Sequence, residues 1–163
     1  MEHHDHVRVV LGLFVVLGLL AQVALAETVV GYRNGKPVDL EVTEVDGVVV
    51  ELKTAAAFVT MRDAAEGDGV YLQVWSGFRA HEHQAELYAA WKSGLGNPAA
   101  RPGYSNHQSG RALDINLLGV PKETYAWLLK NASRYGFRRT VPSEPWHWEY
   151  SPPRAARRAP RAT

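Results

Sequence analysis

The chain has 163 residues, 46% of them hydrophobic and 21% charged, with 18 Lys plus Arg against 17 Asp plus Glu. That is the length and composition of one globular domain, and a net charge of +1 rules out a strongly basic nucleic-acid binder as the default reading. Cys is absent, which excludes disulfide scaffolds, thiolate zinc sites, iron–sulfur clusters and thiol nucleophiles and leaves only His and carboxylates to hold any metal.

Residues 9–21 form an apolar run, and Ala24-Leu25-Ala26 fits the small-x-small cleavage pattern of an export signal. The run falls short of the roughly 20 residues of a membrane span. Residues 1–26 are therefore expected to be a signal peptide, with Glu27 as the first mature residue. An uncleaved anchor is the alternative, because MEHHDHVR carries one Arg against Glu2 and Asp5. Either way the domain is expected outside the cytoplasm, in the periplasm, the cell envelope or the medium.

Residues 27–53 read as short strands or an extended arm, with Asn34-Gly35 and Asp46-Gly47 as turn dipeptides between apolar stretches. Residues 53–66 place Phe58, Met61 and Ala65 near helical spacing, and Gly67-Asp68-Gly69 stops that helix. Val70–Trp75 reads as a buried strand. Residues 80–92 predict a second helix with Gln84, Leu87, Tyr88 and Trp91 on one face, and a Gly- and Pro-containing loop follows to Pro102-Gly103. Residues 111–118 alternate as a strand. Pro121 opens a third helix with the stripe Tyr125, Leu128, Leu129 and Ala132, and Gly136 ends it. Trp146–Tyr150 is a final strand, and 151–163 is an Arg- and Pro-rich tail expected to be disordered.

Chemistry gathers in two segments. His107 lies between Gly103 and Gly110, and a turn near Gly110 would fold it back toward Asp114. In the strand 111–118, alternation puts Leu113 and Ile115 on one face and Asp114 and Asn116 on the other. An acid flanked by Leu and Ile is costly to bury unless it is paired or metal-bound. His147 follows Glu144-Pro145-Trp146, where the prolines forbid a helix. In the strand that follows, Trp146, Trp148 and Tyr150 share one face, while His147 and Glu149 share the other. A His taken singly is more often a satisfied structural residue than a ligand, and it is the joint occurrence that carries weight. Two His and one Asp suffice for a catalytic zinc with its fourth position left to water, and a nearby Glu can serve as base. Strand alternation favours Glu149 for the cleft, and Asn116 and Glu149 are candidates to lie behind the imidazoles. His81 and His83, two apart on a helix, read as solvated. Arg79, immediately after a buried strand, is either a pocket cation or a surface ion-pair partner, and Gln84 on an apolar helix face needs a specific partner. Arg101 and Arg111 flank the His107 segment as possible carboxylate donors or solvated cations, and 93–101 is placed to wall a cleft. A serine peptidase fits poorly, since no Gly-x-Ser-x-Gly elbow exists.

Ser76-Gly77-Phe78-Arg79 with Gln84 and Leu87-Tyr88, then PGYSNHQSGRALDI at 102–115, then Glu144-Pro145-Trp146-His147, resemble the D-alanyl-D-alanine carboxypeptidases of the VanY type, within the lysostaphin/D-Ala-D-Ala/Sonic-hedgehog metallopeptidase superfamily. The resemblance covers roughly residues 54–150. It implies an α+β fold, a small antiparallel sheet flanked by helices with a zinc cleft on the sheet. It implies one zinc per chain held by His107, Asp114 and His147, Glu144 as catalytic base and Arg79 steadying the scissile carbonyl oxygen. Gln84, Tyr104 and Ser105 are candidate substrate contacts. The implied function is removal of the terminal D-Ala from peptidoglycan stem peptides by a monomer with no nucleic-acid or stable protein partner. An endopeptidase of the same superfamily is the alternative, and a catalytically silent wall-binding module is a third reading, disfavoured by Glu144 and Arg79. The resulting division is 1–26 signal, 27–53 arm, 54–150 zinc domain and 151–163 tail.

Overall fold

The computed structural model describes residues 27–116 and 122–152. The predicted signal peptide at 1–26, the end of the predicted strand at 117–118, the helix start at Pro121 and residues 153–163 of the predicted disordered tail lie outside the described residues. Among those described, no helix is long and apolar enough to cross a membrane.

The first strands, β1 (Glu27–Arg33), β2 (Lys36–Val45) and β3 (Val48–Glu51), form an antiparallel meander. Its two turns are the predicted dipeptides. Asn34-Gly35 has φ of 52° and 76°, and Asp46-Gly47 has 55° and 77°. Two consecutive left-handed residues match the twist of the flanking strands, which is why Asn-Gly and Asp-Gly close such hairpins. Glu51 then caps α1 (Leu52–Gly67), its carboxylate accepting from the Thr54 amide at 2.9 Å. The helix buries Ala55, Phe58, Met61 and Ala65 at helical spacing.

The strand expected at Val70–Trp75 is shorter, β4 (Val74–Ser76), with Tyr71 and Trp75 exposed. The reason is local. The Gln73 amide donates to Asn116 Oδ1 and the Val74 amide to Asp46 Oδ2, so side chains take donors that a sheet ladder would use. Helix α2 (His81–Lys92) fully buries Gln84, half-buries Leu87 and Tyr88, and leaves Trp91 partly exposed. After β5 (Ala112–Ile115), helix α3 (Lys122–Asn131) runs into a 3-10 turn at Ala132–Tyr135. Its buried positions are Thr124, Leu128 and Asn131, with Ala132 in the following turn. Leu129, expected on the apolar stripe, is exposed. The two-residue β6 (Phe137–Arg138) is too short for alternation to reveal it, and β7 (His147–Tyr150) completes an antiparallel sheet ordered β4-β5-β7-β6.

Among the described residues the architecture is α+β, two small antiparallel sheets with three helices. One sheet face presses Leu113, Ile115 and Trp148 against Phe58, Met61 and Leu128. Val45 and Val50 of the meander belong to the same core, so the N-terminal strands pack as part of it. The opposite face carries Asp114 and His147.

Candidate metal centre and its cleft

Strands β5 and β7 pair so that Asp114 lies opposite His147. Cross-strand partners project to the same face, and His147 Nδ1 stands 3.2 Å from Asp114 Oδ1. His107 arrives from the 103–110 segment. That segment reverses at Gly110, whose φ of 73° and close approach to Glu51, where an added Cβ would lie 2.6 Å from the Glu51 Cβ, admit only glycine. His107 Nε2 reaches within 3.5 Å of the same Asp114 oxygen. All three residues are buried, at 5%, 8% and 5% exposure for His107, Asp114 and His147.

The hydrogen bonds behind the rings fix which nitrogen carries the lone pair. His107 Nδ1 is 2.8 Å from the Gly77 carbonyl. A carbonyl only accepts, so Nδ1 holds the proton and Nε2 is the free donor atom. His147 Nε2 is 3.3 Å from Glu149 Oε1, an oxygen that also accepts from Asn106 Nδ2 at 2.6 Å and from the Thr140 hydroxyl. Donation from Nε2 to Glu149 leaves Nδ1 facing Asp114. The three candidate ligand atoms lie within 4.8 Å of one another. In a tetrahedral zinc site with bonds near 2.0–2.1 Å, neighbouring donors stand about 3.3 Å apart. The observed 3.2 and 3.5 Å match that edge for the two pairs that include Asp114, and the three atoms converge closely enough to address one ion.

Without a metal the cluster stores protons. Burial pushes Asp114 upward, but the facing imidazoles of His107 and His147 outweigh it and hold the carboxyl well below the usual range. Burial disfavours the charged form of His147, yet its bonds to Asp114 and Glu149 reverse that and raise it to about 9. Glu149 is held low by His147, Thr140 and Asn106 against its own burial. Below about pH 9 the metal-free His147 is thus a cation and must lose a proton before Nδ1 can ligate. Metal uptake should therefore release a proton. Apparent affinity should fall about tenfold for each unit that pH drops below that value, from this group alone. Chelator competition at pH 7 and pH 8, with proton release followed in weak buffer, measures both.

The Ser-Gly-Phe-Arg segment leaves β4 tied to both neighbours. The Phe78 amide donates to Val49 O at 2.8 Å and the Arg79 amide to His107 O at 3.2 Å. Arg79 Nη1 donates to Gln84 Oε1 at 2.9 Å, and Gln84 Nε2 donates to Ala100 O at 2.7 Å. Gln84, 1% exposed, thus has two partners, the guanidinium and the loop after α2. Burial lowers the Arg79 pKa, opposed by the nearby Asp114 and Glu144 carboxylates. Arg79, Glu144, Ser105, Tyr104 and Leu95–Ala100 line one cleft of about 650 Å³ with the His–Asp–His cluster. The 93–101 loop is one wall of it. Glu144 is half-buried, its Oε2 3.9 Å from His147 Nδ1.

Three expectations are corrected. Asn116 does not lie behind an imidazole. It adopts φ of 51° and its amide bonds Gln73 N and Tyr71 O. Trp146 lines the cleft rather than sharing the core face of Trp148, because it lies in the turn before β7 and the alternation starts one residue later. His81 is not solvated. It is half-buried, its ring centroid 4.3 Å from that of Tyr32 and its Nδ1 3.2 Å from Gln108 Nε2. His83 is exposed as expected. Arg111 is exposed and outside the cleft lining, and Arg101, also exposed, lies over the Tyr104 ring at 4.2 Å. The sequence reading missed Asn106, Thr140 and Gln108. Asn106 adjoins His107, but nothing in the sequence joins Thr140 to Glu149.

Three donors on the wall of an open cleft are the composition of mononuclear zinc sites of the catalytic class, which leave a position for water or substrate. The chain belongs to the VanY family of D-alanyl-D-alanine carboxypeptidases, whose model matches residues 48–153. A D-alanyl-D-alanine carboxypeptidase of Enterococcus faecalis is 33% identical over 140 residues, covering 69% of this chain and 52% of its own length. The chain thus spans about half the length of that curated relative. Among solved structures, VanYB in complex with D-alanine-D-alanine is similar at TM-score 0.60 and 32% identity, covering 74% of this chain and 82% of that one. A mutant of VanY, the D,D-pentapeptidase of a VanB-type resistance cassette, in complex with Zn(II), gives 0.57 and 29%, covering 75% and 86%. The LD-carboxypeptidase LdcB gives 0.57 and 30%, covering 67% and 62%.

Proposed function

We propose that this chain is a zinc-dependent D-alanyl-D-alanine carboxypeptidase of the cell envelope, removing the terminal D-Ala from peptidoglycan stem peptides. The observation that carries the reading is the convergence of His107 Nε2, Asp114 Oδ1 and His147 Nδ1 in one cleft with Glu144 and Arg79, inside the stretch matched by the family model. His107, Asp114 and His147 would hold the zinc, which when bound would supply an acidified water and a Lewis acid for the scissile carbonyl. Glu144, facing the same space, takes the proton of the attacking water and delivers it to the departing amine. Arg79, oriented by Gln84, donates to the carbonyl oxygen as that oxygen gains negative charge. Glu149 holds the His147 ring in the tautomer that frees Nδ1. Ser105 and Tyr104 stand at the cleft edge where the rest of the peptide would lie. Export through residues 1–26 would deliver the enzyme to this substrate.

Incubating the zinc-loaded chain with a free stem pentapeptide, with products resolved by mass, tests the reading. The expected result is loss of one D-Ala and accumulation of the tetrapeptide. Untouched pentapeptide with cleavage of intact cross-linked wall would make the chain an endopeptidase. Trimming of the tetrapeptide in preference to the pentapeptide would make it an L,D-carboxypeptidase.

A further inference from the structure

Residues 27–47 precede the stretch matched by the family model, and the mechanism gives the β1–β2 hairpin no role. We propose that this hairpin is a clamp on the 103–110 segment, with Tyr32 and Gln108 as the positioning residues through which it holds the His107 imidazole. The proposal rests on the reading of His107 as a ligand.

The hairpin register exposes the necessary donor. Arg33 and Lys36 close a two-residue turn, and Tyr32 lies opposite Pro37. Ladder bonds skip alternate pairs in an antiparallel ribbon, and a Pro opposite Tyr32, with no N–H, suits a skipped position. The Tyr32 N–H therefore points out of the hairpin, and it donates to Gln108 O at 2.8 Å. The Gly35 amide donates to Gly103 O at 2.9 Å. One hairpin thereby grips the segment on either side of His107. The approach is close at Gly31, where an added Cβ would stand 2.7 Å from Gln108 O and 2.3 Å from Leu40 Cδ1.

The Gln108 side chain, fully buried, completes the grip. Its Oε1 accepts from the Gly103 amide at 2.7 Å, closing the turn on itself. Its Nε2 meets His81 Nδ1 at 3.2 Å, and the His81 ring packs against Tyr32. The His107 ring is fixed by Gly77 O on one side, and its backbone is fixed by Tyr32 through Gln108 on the other. Neither Tyr32 nor Gln108 lines the cleft, so they act on it only through the 103–110 segment that carries His107.

Three full-chain variants test this. Tyr32→Pro removes the N–H to Gln108 without touching a ladder bond and also removes the ring on His81. Tyr32→Phe keeps both. Val30→Ala alters an exposed side chain of the same strand. Zinc affinity is read by competition with a chelating dye, kcat and KM on a pentapeptide, and thermal unfolding in excess chelator. Tyr32→Pro is expected to weaken zinc binding about 10- to 100-fold, the usual cost of losing support behind a ligand, and to lower kcat with little change in KM. Tyr32→Phe and Val30→Ala should stay within about twofold of wild type on each count. A Tyr32→Pro chain that melts lower but binds zinc and turns over like wild type overturns the clamp. Should Tyr32→Pro not fold, Gln108→Leu, which removes the side-chain bonds to the Gly103 amide and His81 Nδ1, decides: a loss of zinc affinity of about threefold or more supports the clamp, and wild-type affinity overturns it. Wild-type chain that takes up no zinc overturns the metal site itself, which separates that failure from failure of the clamp.

Discussion

Glu144→Gln should bind zinc as tightly as the wild-type chain and lose about 10³-fold in kcat. Glu144 is half-buried on the cleft wall, with Oε2 3.9 Å from His147 Nδ1, close enough to address a water beside the ligands. Glutamine keeps its shape and its capacity to hydrogen-bond but cannot carry the proton from water to the leaving amine. The neighbouring acid provides the contrast. Glu149 Oε1 already accepts from Asn106 and Thr140 and faces His147 Nε2, so it is occupied in holding a ring. Glu149→Gln should act first on zinc affinity, in the roughly 10- to 100-fold range of groups that support a ligand. Parallel zinc titrations and steady-state kinetics of the two variants separate the roles. A pure turnover loss in Glu149→Gln with Glu144→Gln near wild type would exchange the assignments.

Arg79→Ala should lower kcat by about 10²- to 10³-fold with a smaller effect on KM. The scissile oxygen acquires charge only as water adds, so a cation aimed at that point favours the transition state over the bound substrate. In the proposed role the guanidinium is oriented by Gln84 Oε1 at 2.9 Å, and Gln84 is itself anchored to Ala100 O. A fork that bonds Gln84 with one arm and substrate with another has no ammonium equivalent, so Arg79→Lys should restore little of the rate. Kinetics on a single defined peptide settle the point. A rise in KM with kcat intact would make Arg79 a clamp for the substrate carboxylate instead of a partner of the reacting carbonyl.

What could be read from the sequence was local. Asn34-Gly35 and Asp46-Gly47 specify their turns because few other pairs tolerate two successive left-handed residues, and the structure places turns there. Helix α1 follows from Phe58, Met61 and Ala65 at helical spacing. Asp114 and His147 could be assigned faces from alternation because each sits in a short, regular strand. Where the reading failed, a distant partner decided. Asp46 and Asn116 take the amides that would have lengthened β4. Tyr32 buries His81 from a strand far away in the chain, and Thr140 reaches Glu149 from outside β7. Trp146 breaks the pattern because it is still in the turn and alternation begins at His147. The motif points to Glu144 and alternation to Glu149. Alternation correctly put Glu149 beside His147, and the hydrogen bonds give that proximity a different use.

Zinc content measured on purified chains tests the central claim most directly. The wild-type chain dialysed against limiting zinc should retain about one ion per chain. The variant carrying His107→Ala, Asp114→Ala and His147→Ala should retain none while keeping its fold by circular dichroism. Removal of Asp114 alone should already release the ion, since its Oδ1 lies within 3.5 Å of both imidazole donors. One zinc per chain persisting in the folded triple variant would place the metal elsewhere and contradict the account.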